Sequence, residues 1–276
     1  MDIPKSLNDT HTLSNNPSTY QAEADNNLYL FLKHEDILWN VPHYHNSIEL
    51  ICVTQGEAIA HIDGKEYRIL PNQICFTDSQ QIHFYDNYCK EAKTIVLVLS
   101  SEYTHHFRRQ FEKKSFPSFM TDVEKNKPIV SHLMSFLNEQ NHSYLSVCGY
   151  TNLLLDLISK AYPLIDREPQ SQKDLAHQFV DYIAENYTLD ITLKTMAQYF
   201  GYSTVHFSKL FNKMLGQNFL NVLNNYRLQK AIEQLNAPDN KKSVVDICYA
   251  CGFNSTATFY RHYAEHQKKM LDIPIP

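Results

Sequence analysis

The side chains best suited to chemistry are His43, His45 and Glu49, in the run His43-Tyr-His45-x3-Glu49-x6-Gly56, where the strand-like segments begin. Side chains alternate along a strand, so His43 and His45 share one face. Imidazoles and a carboxylate in that position can line a pocket for an organic ligand or satisfy buried hydrogen bonds. A second reactive pair, Cys248-x-x-Cys251, has no further Cys pair or nearby His pair to complete a zinc site and reads as small core residues of a helix. With 6 glycines in 276 residues, phosphate-cradling loops are scarce. The chain has no P-loop, no dinucleotide-binding glycine fingerprint and no nucleophile elbow.

The elements that must position these residues change in kind along the chain. Short apolar runs at 48–54, 57–62, 67–70, 74–76 and 94–99 read as strands. Asp63-Gly64 supplies a hairpin turn, because both positions tolerate positive φ. Strands at this spacing indicate a β-sandwich or barrel. From 128 to 162 the period becomes helical, with Ile129, Leu133, Phe136 and Leu137 on one face and Leu153, Leu154, Leu157 and Ile158 on another. The second stripe predicts pairing of two subunits. The breaker-rich 163–173 reads as a linker, and everything beyond it is helical by pattern.

Composition fits two globular domains: 43% of residues are hydrophobic, 20% are charged and the net charge is −5. No apolar run reaches the ~18 residues of a membrane span. Residues 1–27 are polar, without the apolar core of a signal peptide, which predicts a flexible tail on a cytoplasmic protein. Residues 1–173 carry a net charge of −6 and residues 174–276 a net charge of +1. Charge alone therefore does not announce a nucleic-acid partner.

The pattern of the C-terminal half does. A short amphipathic helix around 191–200 is followed by Gly201-Tyr202-Ser203 and a second helix, Thr204 to Leu215, closed by Gly216. The arrangement returns after 52 residues, with Gly252-Phe253-Asn254, the cap Ser255, and Phe259-x-Arg261-x-Tyr263 aligning on Phe207-x-Lys209-x-Phe211. A helix over 218–235 connects the two units. About 20 residues of helix span about 30 Å, close to the ~34 Å between successive major-groove faces on one side of B-DNA. This half resembles the AraC/XylS family of transcription regulators, in Leu193…Ala197, Gly201-Tyr-Ser203, Phe207-Ser-Lys209-Leu-Phe211-x4-Gly216, Tyr226-Arg227-Leu228-x2-Ala231 and Asp246-Ile247-x4-Gly252-Phe253-x-Ser255-x3-Phe259-x-Arg261. The resemblance implies a double-stranded promoter DNA partner. Its reading positions are Thr204, Val205, Ser208 and Lys209 in the first unit and Thr256, Ala257, Tyr260 and Arg261 in the second, with Lys213 and Lys241 on phosphate. Arg261 can grip both guanine acceptors at once. Arg227 reads as structural, pairing with Asp246. The tail after Glu265 lacks the family's closing Gly and Tyr-Arg, which predicts an altered last helix.

The N-terminal His-x-His-x3-Glu run resembles the first motif of the cupin superfamily, and Pro71-Asn72 with Ile82-His83 resembles the second. In metal-binding cupins such a set, here His43, His45, Glu49 and His83, holds one divalent metal of the Zn, Mn, Fe or Ni type. In sensor barrels of AraC type the same residues line an organic-ligand pocket, to which Trp39, Tyr44, Phe76 and Tyr85 would add walls that suit a sugar.

The sequence thus predicts an α+β chain of two domains. A polar tail (1–27) leads into a cupin-like ligand-sensing β-barrel (28–127) with two dimerisation helices (128–162). A linker (163–173) then joins it to an all-α DNA-binding domain with a duplicated helix-turn-helix (174–276). The expected function is a ligand-responsive, sequence-specific DNA-binding regulator. It would be a homodimer and not an enzyme, with a small-molecule effector, a sugar by preference, and no resident cofactor. The alternatives are a cupin metalloenzyme and a DNA-binding protein whose barrel only dimerises.

Overall fold

The computed structural model describes residues 30–35, 38–87, 92–139, 142–167, 170–237 and 240–271. The tail expected over 1–27, Cys89 and the chain end after 271 lie outside them. Strands β1 (Leu30–Glu35), β2 (Leu38–Trp39), β3 (Ile48–Gln55), β4 (Ala58–Ile62), β5 (Lys65–Ile69), β6 (Ile74–Thr77), β7 (His83–Asn87) and β8 (Lys93–Leu99) come first. Helix α1 (Ser101–Gln110), strands β9 (Lys114–Ser115) and β10 (Phe119–Met120), helices α2 (Val123–Leu137) and α3 (Tyr144–Ala161), and β11 (Ile165–Asp166) complete this half.

The main strands form two antiparallel sheets, ordered β1-β8-β3-β6-β10 and β2-β7-β4-β5. Alternation along β3 explains how they are used. Ile48, Leu50 and Cys52 face the helices, packing with Phe76, Leu97 and Leu99. Ile51 and Val53 face the second sheet, packing with Ala60, Ile62 and Val96. The spacing, read as a β-sandwich or barrel, is realised as an open, cupin-like pair of sheets, with the larger one buried on both faces. The hairpin turn is as expected, with φ of 47° at Asp63 and 77° at Gly64.

The leucine stripe of α3 does not face outward. Leu154 and Ile158 are fully buried against the sensor domain's own core, beside Leu133 and Phe136 of α2. Leu157 packs at its edge, and of the four residues expected to pair subunits only Leu153 is exposed, at 49%. Burial of two such side chains stabilises this domain by ~1.5–3 kcal/mol each, which an apolar stripe obtains as readily from its own sheet as from a second copy. The first residues of the expected linker are held by the sensor domain. Ile165 and Asp166 pair with Ser115 and Lys114 of β9. Arg167 Nε donates to Asp78 Oδ2 at 2.9 Å.

The C-terminal domain is all helical: α4 (Gln170–Asn186), α5 (Leu193–Tyr199), α6 (Thr204–Leu215), α7 (Phe219–Leu235), α8 (Val244–Ala250) and α9 (Thr256–Leu271). Phe179, Phe207 and Phe211 fill the first unit, and Phe253 and Phe259 the second, with Tyr263 stacked on Phe259. Gly201 (φ 74°) and Gly252 (φ 85°) make the two turns. A Cβ on Gly252 would lie 2.4 Å from the carbonyl oxygen of Tyr187, so no larger residue fits there. Ser203 and Ser255 cap α6 and α9 through their hydroxyls. Cys248 and Cys251 sit in the core, and burial pushes the Cys251 thiol up to about 11. Among the described residues, no helix is long and apolar enough to cross a membrane.

Arg227 is structural, but with other partners than expected. Its Nε and Nη2 donate to the carbonyls of Tyr187 and Leu189, each at 2.7 Å, tying α7 to the chain after α4. Asp246 is instead used in a capping box with Ser243 at the start of α8.

Candidate effector site and nucleic-acid interface

His43, His45, Glu49 and His83 meet at one end of the space between the sheets. All four are buried, and their ligating atoms lie within 4.8 Å of one another. His43 and His83 are bridged across their backbones, with N···O distances of 3.1 and 3.0 Å. Glu49 projects from β3 on the inter-sheet face, and Tyr85 of β7 donates to its Oε1 at 2.6 Å.

The imidazoles are oriented by the backbone. Nδ1 of His43 lies 2.9 Å from the carbonyl of Val41, that of His45 3.1 Å from Ser47, and that of His83 2.9 Å from Gln81. A carbonyl only accepts, so each Nδ1 carries the proton, and a neutral ring then presents a bare lone pair at Nε2. Yet Nε2 of His45 and of His83 both face Glu49 Oε2 at 3.2 Å. Acceptors facing an acceptor in a buried site need a positive charge between them. That charge is supplied either by extra ring protons or by a cation. Burial, reinforced by the neighbouring His83 and His45, pushes His43 well below its ordinary value, which favours a neutral ring there, while the two rings that face Glu49 can meet it either as charged donors or across a shared cation. Burial alone would raise Glu49, but positive charge and donated hydrogen bonds from His83 and His45 hold it well below the usual carboxylate range. Burial and then the Glu49 charge raise Tyr85, so it remains a phenol that donates. Three imidazoles locked at Nδ1 and one ionised carboxylate fit a divalent transition metal, with the second-sphere bonds already in place.

The structure brings five of the predicted ligand residues together: His43, His45, Glu49, His83 and Tyr85. The other three point elsewhere. Phe76 lies on the helix-facing side of its strand, edge-on to Phe116 at 5.3 Å. Tyr44, between two inward histidines, necessarily faces out, and its hydroxyl donates to Asp181 Oδ2 of α4 at 2.8 Å. Trp39 packs on His266 of α9, ring centres 4.4 Å apart. Alternation along the strand was the signal that separated Tyr44 from its neighbours. Nothing in the sequence pointed to its partners His177 and Asp181, or to His266.

The predicted reading residues lie on accessible faces. On α6, Thr204, Val205 (70% exposed) and Lys209 are open and Ser208 is half-buried. On α9, Ala257, Tyr260 (50% exposed) and Arg261 are open and Thr256 is half-buried. Lys213 and Lys241 are exposed as well. Val205 and Tyr260 are large hydrophobic side chains left in solvent on otherwise well-packed helices.

Residues 34–144 match the model of the AraC-like ligand binding domain, and residues 196–269 that of a helix-turn-helix domain. An uncharacterised HTH-type transcriptional regulator of Staphylococcus aureus (strain MSSA476) is 27% identical over 156 residues, which cover 54% of this chain and 20% of that protein. The chain thus spans about a fifth of the length of the first curated relatives it matches. The HTH-type transcriptional activator RhaS of Mannheimia succiniciproducens is 21% identical over 224 residues, covering 79% of this chain and 82% of that one. Among solved structures, ToxT from Vibrio cholerae matches with a TM-score of 0.46 and 12% identity over 89% of this chain and 95% of its own. The chain thus carries an AraC-like ligand binding domain followed by a helix-turn-helix domain, in the order that its sequence resemblance to the AraC/XylS family implies.

Proposed function

We propose that the protein is a sequence-specific DNA-binding transcription regulator whose activity responds to a ligand in its N-terminal domain. The N-terminal ends of α6 and α9 enter two successive major grooves, with α7 setting their separation. At 17 residues α7 spans about 25 Å, the right order for one helical turn of DNA. The ligand best supported is a divalent transition-metal ion at His43, His45, Glu49 and His83. The observation that carries it is the pair of Nε2 atoms facing one carboxylate oxygen while every Nδ1 is held by a carbonyl. A sugar has less support: the likeness to RhaS is distant, and Trp39, Tyr44 and Phe76 do not line this site. The regulator is read as a homodimer. Because the inner face of α3 is used internally, its outer face, with Leu145 78% and Leu153 49% exposed, is the surface left for a second copy.

Two measurements test this. Metal analysis of the purified full chain should find close to one zinc, manganese, iron or nickel per protomer, lost in His83→Ala. Binding to duplexes selected from a random library should depend on that metal. A full chain without metal affinity removes the metal as effector. A chain that selects no sequence removes the regulator. A loaded chain that turns over a substrate without binding DNA supports the cupin metalloenzyme.

A further inference from the structure

The histidine site and the contact between the two domains are built on opposite faces of the same backbone. His43 and His45 point into the site, while Val41 and Tyr44 point out and belong to the hydrophobic core of the C-terminal domain, beside Phe179, Ile183 and Tyr226. The bridged segment repeats the pattern, with His83 in the site and Ile82 in that same core. Polar contacts follow the apolar ones. Val41 N donates to Gln229 Oε1 of α7 at 3.1 Å. The Tyr44 ring stacks on His177 of α4, centres 4.0 Å apart and planes 13° from parallel. His177 Nε2 lies 2.9 Å from the carbonyl of Gln80, whose own N–H donates to the carbonyl of His45 at 2.8 Å. Upstream, Trp39 reaches His266 of α9. Seven residues, 39–45, therefore touch the first helix-turn-helix unit through α4, the connecting helix α7, and the second unit through α9.

We infer that residues 39–45 are a strap that couples the state of the His43–His45–Glu49–His83 site to the relative placement of the two DNA-reading units, with Tyr44 against His177 and Asp181 as its latch. This rests on the effector site proposed above. Side chains alternate along extended backbone, so any shift that re-aims His43 and His45 moves Tyr44, which lies between them, in the opposite sense. Packed interfaces respond to such shifts by changing between discrete arrangements rather than by stretching. The reading faces themselves remain uncovered, so the strap governs how the two units are held rather than whether DNA can reach them. The ligand exerts control only to the extent that it binds the two arrangements unequally; a tenfold change in DNA affinity requires a tenfold difference.

Trp39 is the one tryptophan in the chain, which makes its fluorescence a direct report of the strap against α9. The experiment uses the full chain, stripped of metal and then titrated with zinc, with Tyr44→Phe and Tyr44→Phe/His177→Ala compared with the parent. Circular dichroism confirms that each variant is folded. In metal-free protein the double variant should at least double the acrylamide quenching constant of Trp39. On zinc addition the parent should change both its Trp39 emission and its affinity for a selected duplex by threefold or more. The double variant should bind zinc with the same stoichiometry while both responses fall away. Variants that keep the parent's quenching and the parent's zinc response overturn the strap. So does zinc that binds the parent without moving Trp39. Should zinc fail to bind the parent at all, the metal reading of the site falls by itself, and the metal-free quenching comparison still decides the strap: doubled, it stands; unchanged, it is overturned.

Discussion

Gly64 and Gly216 meet backbone to backbone across the domain boundary. A Cβ on Gly216 would lie 3.1 Å from the carbonyl oxygen of Gly64, and a Cβ on Gly64 would lie 2.4 Å from that of Lys213. The tip of the β4–β5 hairpin thus rests on the C-terminal cap of α6, a reading helix. Both glycines also hold positive φ, 77° and 69°. Gly64→Ala adds a clash with backbone to a backbone strain of ~1 kcal/mol. The expected result is a sensor domain that still folds but no longer docks, seen as at least fivefold faster trypsin cleavage at Arg167, which the docked form holds on Asp78. An unchanged cleavage rate contradicts the docked arrangement.

Arg261 is exposed on α9, and in the proposed function it is the side chain that grips guanine. Arg261→Ala should cost ~1–3 kcal/mol on a selected duplex and relax the preference at one base pair. Lys213→Ala should weaken selected and random duplexes alike and flatten the salt dependence by about one unit. Anisotropy titrations at several salt concentrations separate the two. An Arg261 variant with parental sequence preference refutes the assignment.

Asp78 makes ion pairs with Arg108 of α1 and Arg167 of the interdomain segment. Burial would raise its carboxyl, but Arg108 and then Arg167 outweigh it and the net displacement is downward. A depressed folded value means that this stabilisation is complete above the unfolded value, ~3.9, and is lost as pH falls through the folded one. The melting temperature of the parent should therefore drop more steeply between pH 5 and pH 3 than that of Asp78→Asn. At pH 7 the variant should be destabilised by ~3–5 kcal/mol, the cost of leaving two guanidinium groups without their carboxylate. Parallel melting curves across that range would rule out the pairing.

Leu154 and Leu153 are neighbours with opposite fates. Leu154→Ala should cost ~2–5 kcal/mol of sensor-domain stability without changing the sedimentation of the folded protein. Leu153→Glu, at the exposed edge, should leave melting within ~0.5 kcal/mol of the parent and, if the proposed dimer forms through this face, shift sedimentation toward monomer. A Leu154 variant that dissociates before it unfolds would return the stripe to the subunit interface.

How far these features could be read from the chain depends on whether their causes are local. The paired helix-turn-helix units, with Gly201, Gly252 and the caps Ser203 and Ser255, are set by turn chemistry within a few residues, and all appear as read. The donor set at His43, His45, Glu49 and His83 was legible through its motif; Tyr85 was read only as a pocket wall, and its hydrogen bond to Glu49 was not legible. Helix α1 escaped because SEYTHHFRRQ is polar nearly throughout, with only Tyr103 and Thr104 buried. The choice of partner for Leu154, for Arg227 and for Tyr44 was not legible either. An apolar stripe states that it must be covered, and a guanidinium that it must be paired, but a tertiary neighbour more than a hundred residues away in the case of Tyr44 and Asp181 leaves no mark in either local sequence.

The shared face formed by Val41, Tyr44 and Ile82 has a practical consequence for anyone who divides the chain. Cutting between β11 and α4 yields no self-sufficient sensor module: the N-terminal piece would carry into water an oily surface normally sealed by Phe179, Ile183 and Tyr226, and the C-terminal piece would carry its counterpart. Such fragments are poised to stick to each other, to themselves or to a chaperone. Insolubility on truncation would then report the seam that joins the halves, not a failure of either fold.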